Sequence, residues 1–291
     1  MNRTSTPPPV QRRILARELR RLRERAGLTG DEIKTRLGWS SSKISRIENA
    51  RISVTEGDVG LLLDLYDVLP HQRERLLALA AQSHTPPSWR SYPPPVSEDF
   101  LSFMDVEAVA ESIRQWEIGV VPGIVQTESY ARHLVQSWRW VDANLTPREV
   151  EERVAIRMNR QSRLLPPRSA QIWLVLDESV LMRTVGNEVI MREQMVKLLD
   201  VSALPNVRLQ VVPLAHGRGV TEESFTLLNL DKDNPMGQCL VYIDHNITNQ
   251  FFLDEQRSIF FEKMFAILVG YALSEKASCE LIARYARLGA S

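Results

Sequence analysis

Cysteine is scarce. Cys239 and Cys279 are the only two in the chain, too few for a disulfide framework and without the paired spacing of a zinc site, so a reducing compartment fits. No run approaches the eighteen or more uninterrupted apolar residues of a membrane helix. The amino end is polar and proline-rich where a signal peptide would carry an apolar core, and the expectation is a soluble, unexported protein. Also missing are a phosphate-cradling glycine loop, a Gly-x-Ser-x-Gly elbow and a His-x-x-x-His pair. Acid-base or metal chemistry would fall to Glu178, Asp244, His245 and Asp254, but His245 stands alone beside a strand-like run, and Asp244 and His245 read as turn residues ending it. No catalytic residue, metal ligand or cofactor is assigned, and an enzyme is not expected.

What is present is an uneven charge. The whole chain holds thirty-six Lys and Arg and thirty-six Asp and Glu. Residues 1–51 carry thirteen bases against five acids, a net of +8, which leaves twenty-three bases against thirty-one acids, a net of −8, in the remainder. One end can attract polyanions and the rest cannot. A solvated basic helix would give the same count, so charge alone leaves both readings open.

The 291 residues are 44% hydrophobic, enough for two domains of ordinary size. Residues 1–9 are polar and Pro-rich and predict a disordered arm. From Val10 to Arg25, Ile14, Leu15, Leu19 and Leu22 recur at helical spacing with arginines on the other faces. Ala26-Gly27 stops that helix, Thr29 caps a second that reaches Leu37, and Gly38-Trp39 make a turn. Ser40 caps a third helix to about Asn49, Thr55 starts a fourth, and a fifth begins near Pro70. The domains are therefore an arm (1–9), an all-α five-helix domain (10–83), a linker (84–97) with five prolines besides Trp89 and Tyr92, and a second domain (98–291). In that second domain helices are expected at about 98–116, 127–138, 146–164, 188–201, 254–273 and 275–288. Strands are expected at Ala170–Leu176, Val207–Val212, Phe225–Leu230, Leu240–Ile243 and Gln250–Leu253, an α+β or mixed α/β order.

The segment Leu28 to Arg51 resembles the helix-turn-helix of the Xre and Cro/repressor family, a lambda-repressor-like fold. Ile33 and Leu37 face Ile44 and Ile47 across the Gly38 turn. Ser40-Ser41-Ser42-Lys43 opens the second motif helix, Arg46 follows one turn later, and Glu48-Asn49-Ala50-Arg51 closes it. The resemblance implies a double-stranded DNA partner. Ser41, Ser42 and Arg46 would occupy the base-reading face, with Ser40, Lys43, Ser45 and Asn49 beside it and Thr29 at the start of the preceding helix. Arg46 can bond guanine bidentately, while Arg17, Arg21 and Arg51 would neutralise phosphates. Gly30 departs from the family's usual glutamine and Lys34 from its small alanine. Trp39 reads as packing rather than base stacking.

In the second domain, Val121 to Arg132 (VPGIVQTESYAR), Arg153, Arg157, Arg160, Gln161, Leu176-Asp-Glu178 and Gln210 to Pro213 together resemble an actinobacterial domain that follows an Xre-type module in WhiJ-like, antitoxin-like regulators. Ile124-Val125 replace its more usual paired leucines. The resemblance implies a C-terminal half that binds a small partner protein or a metabolite, with Gln126, Tyr130, Arg153, Arg157 and Arg160 as candidate contacts. The residues themselves leave alternatives open. Pro122-Gly123 and Thr127 also read as a turn and an N-cap, and the arginine row, which continues to Arg163, also reads as a salt-bridge face with Glu149 and Glu152. The combined expectation is a cytoplasmic, nucleoid-associated homodimer that regulates transcription from an inverted-repeat operator and has no membrane contact. An antitoxin-like protein that sequesters a small partner, and binds DNA for autoregulation, is the competing class.

Overall fold

A computed structural model describes residues 10–84, 98–108, 110–164, 170–216, 223–230, 239–243, 250–252 and 254–288. The expected arm, Trp89 and Tyr92 of the linker, Asp244, His245 and the side chain of Arg163 lie outside them. The chain divides into two compact units, Met1–Pro94 with Leu101–Val106, and Pro95–Phe100 with Glu107–Ser291.

The first unit is helical. Helix α1 (Val10–Arg25) buries Ile14, Leu15, Leu19 and Leu22 and ends where Gly27 turns left-handed at φ +67°, a conformation that costs glycine little. Helices α2 (Gly30–Leu37), α3 (Ser41–Glu48), α4 (Glu56–Leu65) and α5 (Pro70–His84) follow. Pro70 sits at the start of α5, where its missing N–H is not needed. Capping hydroxyls start three of these helices: Thr29 accepts from Glu32 N–H, Ser40 from Lys43 N–H and Thr55 from Asp58 N–H. The core between them holds Leu15, Leu19, Ile33, Val59, Leu63 and Leu76, each at most 1% exposed.

After α6 (Glu98–Glu107) the second unit is built on a mixed sheet. Its strands are β1 (Ser112–Glu117), β2 (Gln171–Asp177), β3 (Val207–Val212), β4 (Phe225–Asn229), β5 (Leu240–Ile243) and β6 (Gln250–Phe252), in the order β3-β2-β1-β4-β5-β6. β1, β2 and β3 are mutually parallel, and β4, β5 and β6 add antiparallel. Parallel neighbours require helical crossovers. These are α7 (Glu128–Ser137) and α8 (Pro147–Leu164) between β1 and β2, then α9 (Ser179–Met182) and α10 (Glu188–Ser202) between β2 and β3. Helices α11 (Glu255–Tyr271) and α12 (Glu275–Leu288) close the unit. One sheet face, with Trp116, Val175, Phe225 and Val241, packs against Phe261, Phe265 and Leu268 of α11. Leu174, Leu176, Leu209 and Val211 alternate to the other face and are equally buried, which is why β2 reads as a near-continuous apolar run.

The helix expected to continue to residue 116 stops at Glu107, and β1 takes its place in the middle of the sheet. Ile113 and Trp116 stand three apart, a helical spacing. Yet β1 hydrogen-bonds β2 on one side and β4 on the other, and that two-sided ladder outweighs a weak local preference. Ile113 is fully buried at this centre. Ile113→Ala should therefore cost about 2–5 kcal/mol, read as a lower urea midpoint for the second unit, whereas an equivalent truncation at exposed Met182 should leave the midpoint nearly unchanged.

Candidate nucleic-acid interface

Helix α3 is presented by three constraints. A capping box starts α2: Thr29 N–H and Oγ1 donate to Glu32 Oε2 at 2.7 and 2.8 Å, and Glu32 N–H donates back to Thr29 Oγ1 at 3.2 Å. Those bonds hold the Glu32 carboxyl below its ordinary pKa. Gly38 then ends α2 at φ +68° and donates to Lys34 O, which turns the chain so that Ile44 and Ile47 of α3 bury beside Ile33. The third constraint is electrostatic. Arg23 of α1 grips Glu48 at the end of α3 through two bonds of 2.7 and 3.0 Å, and its remaining nitrogen donates to Leu28 O at 2.9 Å. The two side chains are only 16% and 10% exposed, and the pairing raises the Arg23 pKa above its ordinary value.

With Ile44 and Ile47 inward, Ser41, Ser42, Ser45, Arg46 and Asn49 face solvent. Arg46 donates from Nε to Ser42 O at 3.1 Å, which lays its guanidinium along the amino-terminal turn of α3. No carboxylate pairs with it among the described residues. Ser41 donates to Asp31 at 3.3 Å, Ser40 and Ser42 share a 3.0 Å hydroxyl bond, and Asn49 turns its amide back onto Ser45 O at 2.7 Å. Arg51, Lys34 and Arg36 are likewise exposed with no ion pair among the described residues.

Other candidates are committed inside the protein. Arg21 pairs with Glu18 at 2.9 Å. Lys43 pairs with Asp58 at 2.9 Å and lies over the Trp39 ring, 3.7 Å from its centroid, so Trp39 packs against a lysine. Arg17 has a partner of its own. Thr29 spends its hydroxyl on the capping box. Arg36, two residues after Lys34 on α2, is a further exposed cation that the sequence analysis did not single out.

In the second unit the residues expected to meet a partner are mostly interior. Tyr130 is fully buried and accepts from Val121 N–H at 3.2 Å. Gln126 is 2% exposed and donates to Val121 O at 2.7 Å. Both close the Pro122-Gly123 turn and neither offers a surface. Gln161 and Gln194 brace the same turn through bonds to Gly123 O, Gln126 O and Val125 O. The arginine row also divides. Arg160 makes a buried bidentate pair with Glu107 at 2.8 and 2.7 Å. Arg153 and Arg157 instead lie over the Trp138 ring, at 5.4 and 5.9 Å. Glu149 folds back to Thr146 and also feels the charge of Arg153, and Glu152 pairs with Arg148. Glu178 accepts from Leu214 N–H and the Tyr285 hydroxyl, and Asp254 caps α11.

Residues 100–284 match the family described as "Domain of unknown function (DUF5753)". The chain belongs to that family. Ahead of the DUF5753 region, residues 14–76 match the description "Helix-turn-helix domain", and they contain α2, the Gly38 turn and α3. No curated protein and no solved structure matches the chain. No helix among the described residues is long and apolar enough to cross a membrane.

The Arg23–Glu48 pair yields a direct test. Removing one member strands the other in a largely dry place, so Glu48→Ala should destabilise the first unit by about 3 kcal/mol, the lower end for breaking a buried pair. Calorimetry should show that loss, with the transition of the DUF5753 unit unmoved.

Proposed function

We propose that the chain is a sequence-specific, DNA-binding transcriptional regulator of the Xre type, in which α3 enters the major groove. The observation that carries this reading is the outward face of α3, where exposed Ser41, Ser42 and Arg46 stand on a helix fixed from behind by Ile44, Ile47 and the Arg23–Glu48 bridge. A major groove about 12 Å wide admits one such helix, and side chains near its amino end reach base edges. Arg46, with no acid competing for it, bonds guanine O6 and N7; Arg51, Arg36 and Lys34 meet phosphates. Arg21 and Lys43, already neutralised by Glu18 and Asp58, contribute less. One such module reads few base pairs, so two copies on half-sites about one turn apart are required for tight binding, which makes the operator an inverted repeat. The reading places the protein in the cytoplasm at the nucleoid, without catalytic activity.

A second activity, capture of a small partner protein by the DUF5753 unit, as in antitoxin-like regulators, is favoured by one observation. Between α7 and α8, Trp140 and Val141 project 92% and 93% exposed, beside Arg139 and the Arg153–Arg157 pair over Trp138. Trp and Arg are the residue types enriched at the centres of protein interfaces, and Arg139, Arg153 and Arg157 outnumber the neighbouring acids Asp142 and Glu149, which suits an acidic partner.

Selection from random duplexes should return a two-fold symmetric site. Arg46→Ala should then lose about 1–3 kcal/mol of discrimination at one base position per half-site. Arg51→Ala should weaken every sequence alike and lower the salt slope by about one. Equal effects of the two changes, or an asymmetric single site, contradict this division of roles. For the partner, pull-down of the tagged chain from its native host should recover a stoichiometric small acidic protein that Trp140→Ala releases while operator binding persists; recovery unaffected by Trp140→Ala removes the second activity from this surface.

A further inference from the structure

Helix α11 is buried along one side and bare along the other. Its inner side sets Phe261, Met264, Phe265 and Leu268 into the core of the DUF5753 unit. On the outer side Ile259, Phe260, Ile267 and Tyr271 remain 43%, 59%, 47% and 44% exposed, and Lys263, Ala266 and Gly270 lie exposed between them. Positions 259, 260, 263, 266, 267, 270 and 271 follow helical spacing, so they form one continuous stripe. Scattered apolar residues are ordinary on a surface, but a contiguous apolar stripe marks an interaction site.

The stripe is self-complementary in one orientation. Its midpoint is residue 265. A second α11 laid antiparallel about that point brings position 260 opposite 270, 259 opposite 271 and 263 opposite 267. The largest exposed ring, Phe260, then meets the smallest residue. Around Gly270 nothing lies within 4 Å of the place a Cβ would take, so the notch is open to receive the ring. The same pairing staggers the two Lys263 ammonium groups by four residues, roughly 6 Å along the axis, and lets their stems lie on apolar surface. A parallel arrangement would oppose ring to ring and lysine to lysine. At roughly 200 Å² for a fully exposed large side chain, the four apolar residues supply about 400 Å² per copy. Two copies, with Ala266, Gly270 and the lysine stems added, approach the roughly 1,000 Å² that a specific interface needs.

We infer that two copies of this chain pair through antiparallel α11 helices, the Phe260 ring of each filling the Gly270 notch of the other. The pairing rests on the DNA-binding reading only for its purpose, a two-fold protein for a two-fold site.

Sedimentation of the full chain without DNA tests the pairing. The wild type should run at twice 33.2 kDa, and Phe260→Glu and Gly270→Leu should each weaken the dimer by about tenfold or more. Gly270→Leu is the decisive variant, because the space around it is open and leucine is the better helix former, so its melting temperature should not fall. A wild type that stays at 33.2 kDa up to about 100 µM, well above the dissociation constant of any stable dimer, overturns the inference, as does a dimer that survives either substitution. Gel shifts on half-site and full-site duplexes separate this outcome from the DNA reading. A chain that dimerises through α11 but shifts neither duplex would refute the proposed function and leave the pairing intact.

Discussion

One ion pair gives the presentation of α3 its direction. Hydrophobic contact through Ile33, Ile44 and Ile47 holds α3 against its neighbours and sets which face turns inward, but apolar packing is itself non-directional. The Arg23–Glu48 bridge adds direction. A planar guanidinium bonded at two points to a carboxylate fixes both distance and angle, and because Glu48 is the last residue of α3 the bridge acts at the end opposite the Ser40 cap. Its energetic contribution relative to an apolar pair is modest; its structural contribution is to tie the carboxyl end of α3 to α1.

The same chemistry recurs with another purpose in the second unit. Glu107 and Arg160 form a bidentate pair at 3% and 11% exposure, beside a turn whose carbonyls are taken up by Gln126, Gln161 and Gln194. Four chain segments distant in sequence meet there: the end of α6, the 121–127 turn, α8 and α10. Glutamine suits this work because its amide both donates and accepts, as Gln194 does between Val125 O and Thr127 N–H. Residues that resemble a family signature can thus owe their identity to the fold. Gln126, Tyr130, Arg160 and Gln161 belong to the motif and are all interior.

That distinction explains what the sequence allowed to be read. In the first unit every local signal agrees: caps at Thr29, Ser40 and Thr55, stops at Gly27 and Gly38, apolar spacing in α1, and their structural counterparts follow within a residue. Helical units rest on contacts close in sequence, so local patterns suffice. β1 was not legible because its strand character comes from neighbours about sixty and over a hundred residues away, and its own spacing mimics a helix. The Lys43–Asp58 pair, which joins α3 to α4, was hidden for the same reason. Glu18, three residues before Arg21 on α1, was by contrast a local signal that Arg21 is neutralised.

Charge links the two units to the proposed activity. The +8 of residues 1–51 and the −8 of the remainder, which includes residues of both units, cancel over the chain. Near DNA the basic segment is drawn in and the acidic remainder repelled, beyond a Debye length of about 8 Å only weakly, so encounter is biased toward the end that carries α3. A neutral chain with this division avoids the non-specific grip of a uniformly basic protein. On the proposed DNA-binding reading, affinity would come from a small set of exposed cations and specificity from the still smaller set on α3, so pairing two such modules would matter more than for a protein with a large basic surface.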